Sequence, residues 1–205
     1  MRDDTLNDFV TRFDREFAPK LGMRASTFRA VLREAITHAG IGAIVETGCM
    51  RQADNWAGDG QSTIIWNEYR KWKGEGNFDS VDLDKEAVAL AKTACELDVW
   101  SDIHEGDSVL YLSTYKNMID VLYLDSFDLD MNAPHDAAMH CLFELTAAMP
   151  NLRRNSIVFV DDSPMGPDFR IRGKAMYVAE FMAKLGIRPF TLGYQVAWLW
   201  PLEKI

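Results

Sequence analysis

The stretch IDVLYLD (119–125) is a short, nearly continuous apolar run that closes on a carboxylate. A run of this length and uniformity suits a parallel strand buried on both faces. The same design recurs on either side, in AIVETGC (43–49), FDSVDLD (78–84), WSDIHE (100–105) and SIVFVDD (156–162). Helical periodicity fills the intervals. Ala87, Leu90, Ala91 and Ala94 line one face of one helix, and Val178, Phe181, Met182 and Leu185 line a face of another. The segment 188–200 reads as a final pair of strands. Repeated strand-then-helix order predicts an α/β fold with an open, mostly parallel, seven-stranded sheet and helices on both faces.

Ahead of this pattern lie two amphipathic helices. Phe9, Val10, Phe13 and Phe17 share a face of the first; Phe28, Val31, Leu32, Ala35 and Ile36 fall at helical spacing in the second, with Ser26 and Thr27 as caps. Residues 1–40 therefore read as an N-terminal helical cap and 41–205 as the core of one domain, a size that one hydrophobic core can serve.

Composition narrows the function. Hydrophobic residues make up 48% of the chain, which marks a folded protein. No apolar stretch reaches membrane-spanning length and Met1–Asp8 has no apolar leader core, so neither membrane association nor export is expected and a cytoplasmic location follows. Cys49, Cys95 and Cys141 are scattered and odd in number, against a disulfide framework or a cysteine-rich zinc site. The formal net charge of −9 repels phosphate backbones, and nucleic acid is not an expected partner. Arg70, Lys71 and Lys73, and the pair Arg153 and Arg154, read as solvated helix-end or loop charges.

The acids carry the functional signal. Glu46, Asp82 with Asp84, Asp125, and Asp161 with Asp162 all fall at strand ends. Open α/β sheets bind ligands outside the carboxyl ends of their strands. Asp84 suits the cap of the following helix. The others, crowded on one rim, would repel one another, so a bound cation or polar ligand is expected among them. Gly48 follows the first run, where a glycine lets backbone approach a ligand closely. The fingerprint G-x-G-x-x-G is missing: Gly48 is followed by Cys49, Met50 and Arg51, and the next glycines are Gly58 and Gly60. That counts against a nicotinamide-dependent oxidoreductase. Asp82 is placed to accept both hydroxyls of a ribose. Asp107 and Ser108 suit either the edge of an adenine ring or a helix N-cap.

In this order, E-T-G (46–48), G-Q-S-T (60–63), V-D-L-D (81–84), G-D-S (106–108), L-Y-L-D (122–125) and V-D-D (160–162) resemble the class I S-adenosylmethionine-dependent methyltransferases with their Rossmann-like core. Within that class they are most similar to metal-dependent O-methyltransferases of the catechol and macrocin types. The resemblance covers roughly residues 40 to 200. It implies S-adenosyl-L-methionine as cofactor, with Glu46 and Gly48 along its methionine part, Ser62 at its carboxylate, Asp82 on the ribose, and Asp107 and Ser108 at the adenine. Asp125 would stand beside both cofactor and acceptor.

The resemblance also implies that Asp125, Asp161 and Asp162 hold a metal; the catechol type has asparagine at the last position, so Asp162 matches the macrocin type. Neighbouring strands place such carboxylates about 5 Å apart, close enough to share one ion. All-oxygen ligands favour Mg²⁺, with Mn²⁺ or Ca²⁺ as other divalent choices. The activity implied is methyl transfer to a hydroxyl of a small molecule or glycan, with a homodimer as the other partnership considered. A methyltransferase-like binding protein without catalysis is the alternative.

Two departures stand out. The catechol type carries a basic lysine three residues after its first metal aspartate, where this chain has Asp128. His135, Asp128 and Asp125 itself are the candidate bases. The loop 50–59, longer than the usual turn, is expected to act as a lid. Arg170, Arg172 and Lys174 read as solvated cations, with an anionic acceptor as the other assignment.

Overall fold

In a computed structural model the described residues are 3–38, 42–59 and 61–201, with side chains described from Phe9 to Thr37 and from Gly42 onward. Gly60, part of the G-Q-S-T motif, lies outside them. The five expected strands form β1 (Ala43–Thr47), β2 (Phe78–Asp82), β3 (Ser101–Glu105), β4 (Ile119–Leu124) and β5 (Leu152–Val160). They are followed by β6 (Thr191–Leu192) and β7 (Val196–Leu199). The sheet order is β3-β2-β1-β4-β5-β7-β6. The first five strands pair in parallel, while β7 runs antiparallel to both β5 and β6.

Strand alternation splits the core into two layers. Ile44, Val121, Tyr123, Ile157 and Phe159 face one side, where they meet α1 (Asp3–Glu16), α2 (Ala25–His38) and α3 (Ser62–Lys73) through Phe9, Phe13, Phe28, Val31 and Trp66. Ala43, Val45, Leu122, Leu124, Val158 and Val160 face the other. There they meet α5 (Ser108–Thr114), α6 (Pro134–Ala148) and α7 (Met176–Lys184) through Leu112, Leu145, Val178 and Met182. The remaining helix, α4 (Lys85–Ala94), packs Ala87, Val88 and Ala91 with Ile103 and Met50. Asp84 caps it, accepting from the amides of Glu86 and Ala87.

Three local readings are corrected. α2 begins at Ala25, directly after a 3₁₀ turn over Gly22–Arg24, so Ser26 and Thr27 lie in its first turn and do not cap it. The Thr27 hydroxyl instead donates to Gln195 Oε1 at 2.7 Å. β5 starts at Leu152, not 156; Asn155 takes a left-handed φ of 68°, and the register jumps from Ile119↔Leu152 to Val121↔Ile157. Arg153 therefore sits on a bulged strand, ion-paired with Asp120. Finally, the cations at the end of α3 are not free. Arg70 is buried and pairs with Asp98, Lys71 pairs with Glu68, and Lys73 lies near Glu75 and Asp120.

Candidate active site

Strand order reverses between β1 and β4, and a cleft opens there at the carboxyl ends. The sequence-predicted residues Gly48, Ser62, Asp82, Ser108, Asp125, Asp128 and Asp162 all line it. Glu46 lies beneath the cleft, fully buried. Asp107, Asp161 and His135 are not part of the lining.

The half of the rim formed by β1, β2 and β3 holds its acids with neutral donors. Asp82 accepts from the amides of Cys49 at 3.0 Å and Asp84 at 2.8 Å, one on each oxygen. A carboxylate has about four acceptor positions, so Asp82 keeps capacity for a ligand's hydroxyls. Glu46 Oε2 accepts from Ser80 at 2.7 Å, while Oε1 has no partner of normal geometry. Burial pushes the Glu46 carboxyl up to about 7, against the pull of the nearby Ser62, Ser80 and Thr63 hydroxyls. Gly48 has φ 80°, and a Cβ there would meet Asp125 O at 2.6 Å. The close approach that demands glycine is thus to the backbone after β4, which draws the two halves of the cleft together. Asp107 is exposed and caps α5 through the amide of Leu110, whereas Ser108 is buried and reaches His140 Nε2 at 3.1 Å.

The half formed by β4 and β5 is built from charge. Arg24 reaches over from the N-terminal layer, its Nε 2.8 and 3.1 Å from the two oxygens of Asp161 and its terminal nitrogen 3.2 Å from Asp162 Oδ1. Tyr123 donates to Asp161 Oδ2 and Tyr194 to Asp162 Oδ1, each at 2.6 Å. Lys174, only 4% exposed, donates to Asp125 Oδ1 at 2.6 Å and to the Asp125 carbonyl at 3.1 Å, and lies 3.1 Å from Asp162 Oδ2. Burial opposes the Lys174 charge, but Asp125 and Asp162 outweigh it and raise the ammonium above its ordinary range. Burial likewise opposes ionisation of Asp162, yet Lys174, Tyr194 and Arg24 hold that carboxyl below its ordinary value.

These contacts correct one expectation and bear on a second. Lys174 is not a solvated cation; Arg170 and Arg172 remain exposed beside Asp168. The oxygens of Asp125, Asp161 and Asp162, the expected metal ligands, are met here by Lys174, Arg24, Tyr123 and Tyr194. Among the described residues no group of three or more His, Cys, Asp or Glu side chains is arranged to hold a metal ion. A divalent ion does not fit this donor set as it stands.

The candidate bases separate in space. His135 lies exposed in the first turn of α6, its Nδ1 2.5 Å from the Tyr177 hydroxyl and away from the cleft. Asp128 sits at the mouth, ion-paired with Arg51 at 2.8 Å. Asp125 lines the cleft, and among the described residues nothing donates to its Oδ2. The histidine that does line the cleft is His140, whose Nε2 is 3.4 Å from Glu144 Oε1. Glu144 holds the imidazole above its ordinary range, with burial opposing. Phe127 (50% exposed) and Leu83 (70% exposed) are apolar side chains left open in the same cleft. The loop 50–59 is braced internally: Asp59 accepts from the amides of Arg51 and Gln52, and Ala57 O accepts from Arg24. Trp56 stacks on Phe17.

A seven-stranded sheet of this order, with an antiparallel β7 and helices on both sides, is the fold of the class I S-adenosylmethionine-dependent methyltransferases. The chain is similar in structure to CalS11, a TDP-rhamnose 3'-O-methyltransferase of calicheamicin biosynthesis (16% identity, TM-score 0.57, covering 97% of this chain and 93% of that one). It is also similar to MycE from the mycinamycin biosynthetic pathway, solved with Mg, SAH and mycinamycin VI (14% identity, TM-score 0.59, 96% of this chain). This chain spans 54% of MycE. A third similar structure is the SAH-bound methyltransferase PaMTH1 of Podospora anserina (17% identity, TM-score 0.56, 96% of this chain and 87% of that one). No protein-family model and no curated protein matches the chain. Among the described residues no helix is long and apolar enough to cross a membrane.

Proposed function

We propose that this protein is an S-adenosylmethionine-dependent O-methyltransferase acting on a hydroxyl of a small molecule or sugar. The observation that carries the reading is that one cleft joins Gly48, Ser62, Asp82 and Ser108 to Asp125 at the switch point of the sheet. Asp82 is suited to the ribose hydroxyls, and Leu83 and Phe127 offer apolar surface to a planar ring. Ser62 opens α3, whose N-terminus favours the carboxylate of the methionine part. The names of CalS11 and PaMTH1 as methyltransferases agree with this reading.

When bound, S-adenosylmethionine supplies an electrophilic methyl group on a sulfonium. The residues have to position an acceptor hydroxyl in line and take its proton as the new C–O bond forms and the S–C bond breaks. Asp125 Oδ2 faces that task with no competing donor from the described residues. Arg24 and Lys174 bind the carboxylates expected to hold a metal ion, so the proposed step runs without one.

Titration calorimetry with S-adenosylmethionine and, separately, with NAD tests the proposal. Saturable heat with the first and none with the second is expected. Absence of heat with S-adenosylmethionine overturns it. Cofactor heat without methylation of any member of a panel of hydroxylated acceptors would leave a binding protein instead.

A further inference from the structure

We infer that Lys174 is a built-in cation standing where a divalent ion would sit between Asp125 and Asp162, so that this site is complete without a metal. Its role in methyl transfer rests on the function proposed above; the placement itself does not.

The first ground is the count of committed oxygens. Asp125 Oδ1 and Asp162 Oδ2 face Lys174, both oxygens of Asp161 accept from Arg24, and Asp162 Oδ1 accepts from Tyr194 and faces Arg24. Among the described residues only Asp125 Oδ2 is left of the six without a donor. Mg²⁺ requires near-octahedral oxygens at about 2.0–2.1 Å, and entering here would mean expelling an ammonium that is itself buried.

The second ground is that the chain around Lys174 is shaped to deliver it. Gly173 has φ +66°, and a Cβ there would lie 2.0 Å from Asp162 O. No other residue fits this approach. The Lys174 amide then donates to the same carbonyl at 3.1 Å, and the Ala175 amide donates to Ser163 Oγ at 3.1 Å. A surface lysine folded in by chance would have no such turn beneath it.

The third ground is chemical. An ammonium has three donors, and Lys174 meets three oxygens: Asp125 Oδ1, the Asp125 carbonyl and Asp162 Oδ2. It can neutralise and orient the carboxylates as a metal would, but it has no open position for an acceptor oxygen. Lys174 is therefore a positioning residue, and Asp125 Oδ2 is the group left to meet the acceptor.

Mn²⁺ titration of the full-length protein, followed by electron paramagnetic resonance and calorimetry, tests the inference. The wild type should show no saturable binding below the millimolar range. Lys174→Met should open the carboxylate cluster and bind Mn²⁺ at least tenfold more tightly, and Asp125→Asn added to it should remove that gain. Micromolar Mn²⁺ binding by the wild type that Asp125→Asn abolishes would overturn the inference. So would a folded Lys174→Met that binds no better than wild type. Should Lys174→Met not fold, the wild-type and Asp125→Asn titrations still decide. Failure to bind S-adenosylmethionine would sink the proposed function while leaving the Mn²⁺ result standing.

Discussion

The two halves of the cleft present carboxylates at equivalent strand ends and settle them by different chemistry. At β1 and β2, Glu46 and Asp82 rest on hydroxyls and backbone amides. At β4 and β5, Asp125, Asp161 and Asp162 rest on Arg24 and Lys174. Neutral donors leave a carboxylate such as Asp82 able to accept from a ligand, and leave the buried Glu46 raised to about 7. Cations cancel a carboxylate's charge and lock its geometry. The first half is thus suited to holding a polyhydroxylated ligand, and the second to presenting one oriented oxygen.

The contrast can be broken most forcefully at Arg24. Arg24→Met leaves Asp161 fully buried without its cation, and such a loss costs about 3–5 kcal/mol; the urea-unfolding midpoint should fall accordingly. A loss under about 1 kcal/mol would mean that Tyr123 and the backbone suffice, and that the halves differ less than their contacts imply.

Glu46 offers the converse test, because among the described residues no cation pairs with it. Its carboxyl is raised from 4.5 to about 7 by burial. The folded state therefore binds this proton more tightly than the unfolded chain does. That contribution is fully present below about pH 4.5 and is lost as pH rises through about 7. Glu46→Gln should match wild type near pH 4.5 and be more stable at pH 8 by on the order of 3 kcal/mol. Parallel unfolding curves at the two pH values check this; a pH-independent difference would show that Glu46 is not the group being titrated.

Asp82 should give the smallest effect. Asp82→Asn keeps one oxygen for an amide but loses the charge, so S-adenosylmethionine should bind roughly tenfold more weakly, about 1.4 kcal/mol. The melting temperature should barely move. A large stability loss with unchanged cofactor heat would make Asp82 a turn residue and no more.

Much of the fold was legible because buried parallel strands write themselves as apolar runs. The segments 43–49, 78–84, 100–105 and 119–125 all read this way, and each strand lies inside its run. The start of β5 was hidden, since Arg153, Arg154 and Asn155 break the pattern where the strand bulges. The acids at the strand ends were legible, as was the need for a cation or polar ligand among them. That side chains of this protein supply positive charge there was not. Arg24 arrives from a 3₁₀ turn far upstream, and Lys174 stands in a run with Arg170 and Arg172 that looks like ordinary surface. Gly173 was the available signal, as a glycine directly before a lysine in the loop between β5 and α7. His140 was overshadowed by His135 because helical facing decides which of them reaches the cleft, and the start of α6 fixes that.

Arg24 also bears on the order of assembly. Its contact with Asp161 spans 137 positions in sequence. Closing a loop that long carries an entropic cost that local helix and strand contacts do not. The bond joins the N-terminal layer to the β4–β5 pair, so neither can keep it without the other. The rim of the cleft is in this sense a seam, where the N-terminal layer is tied by residue 24 to the end of β5.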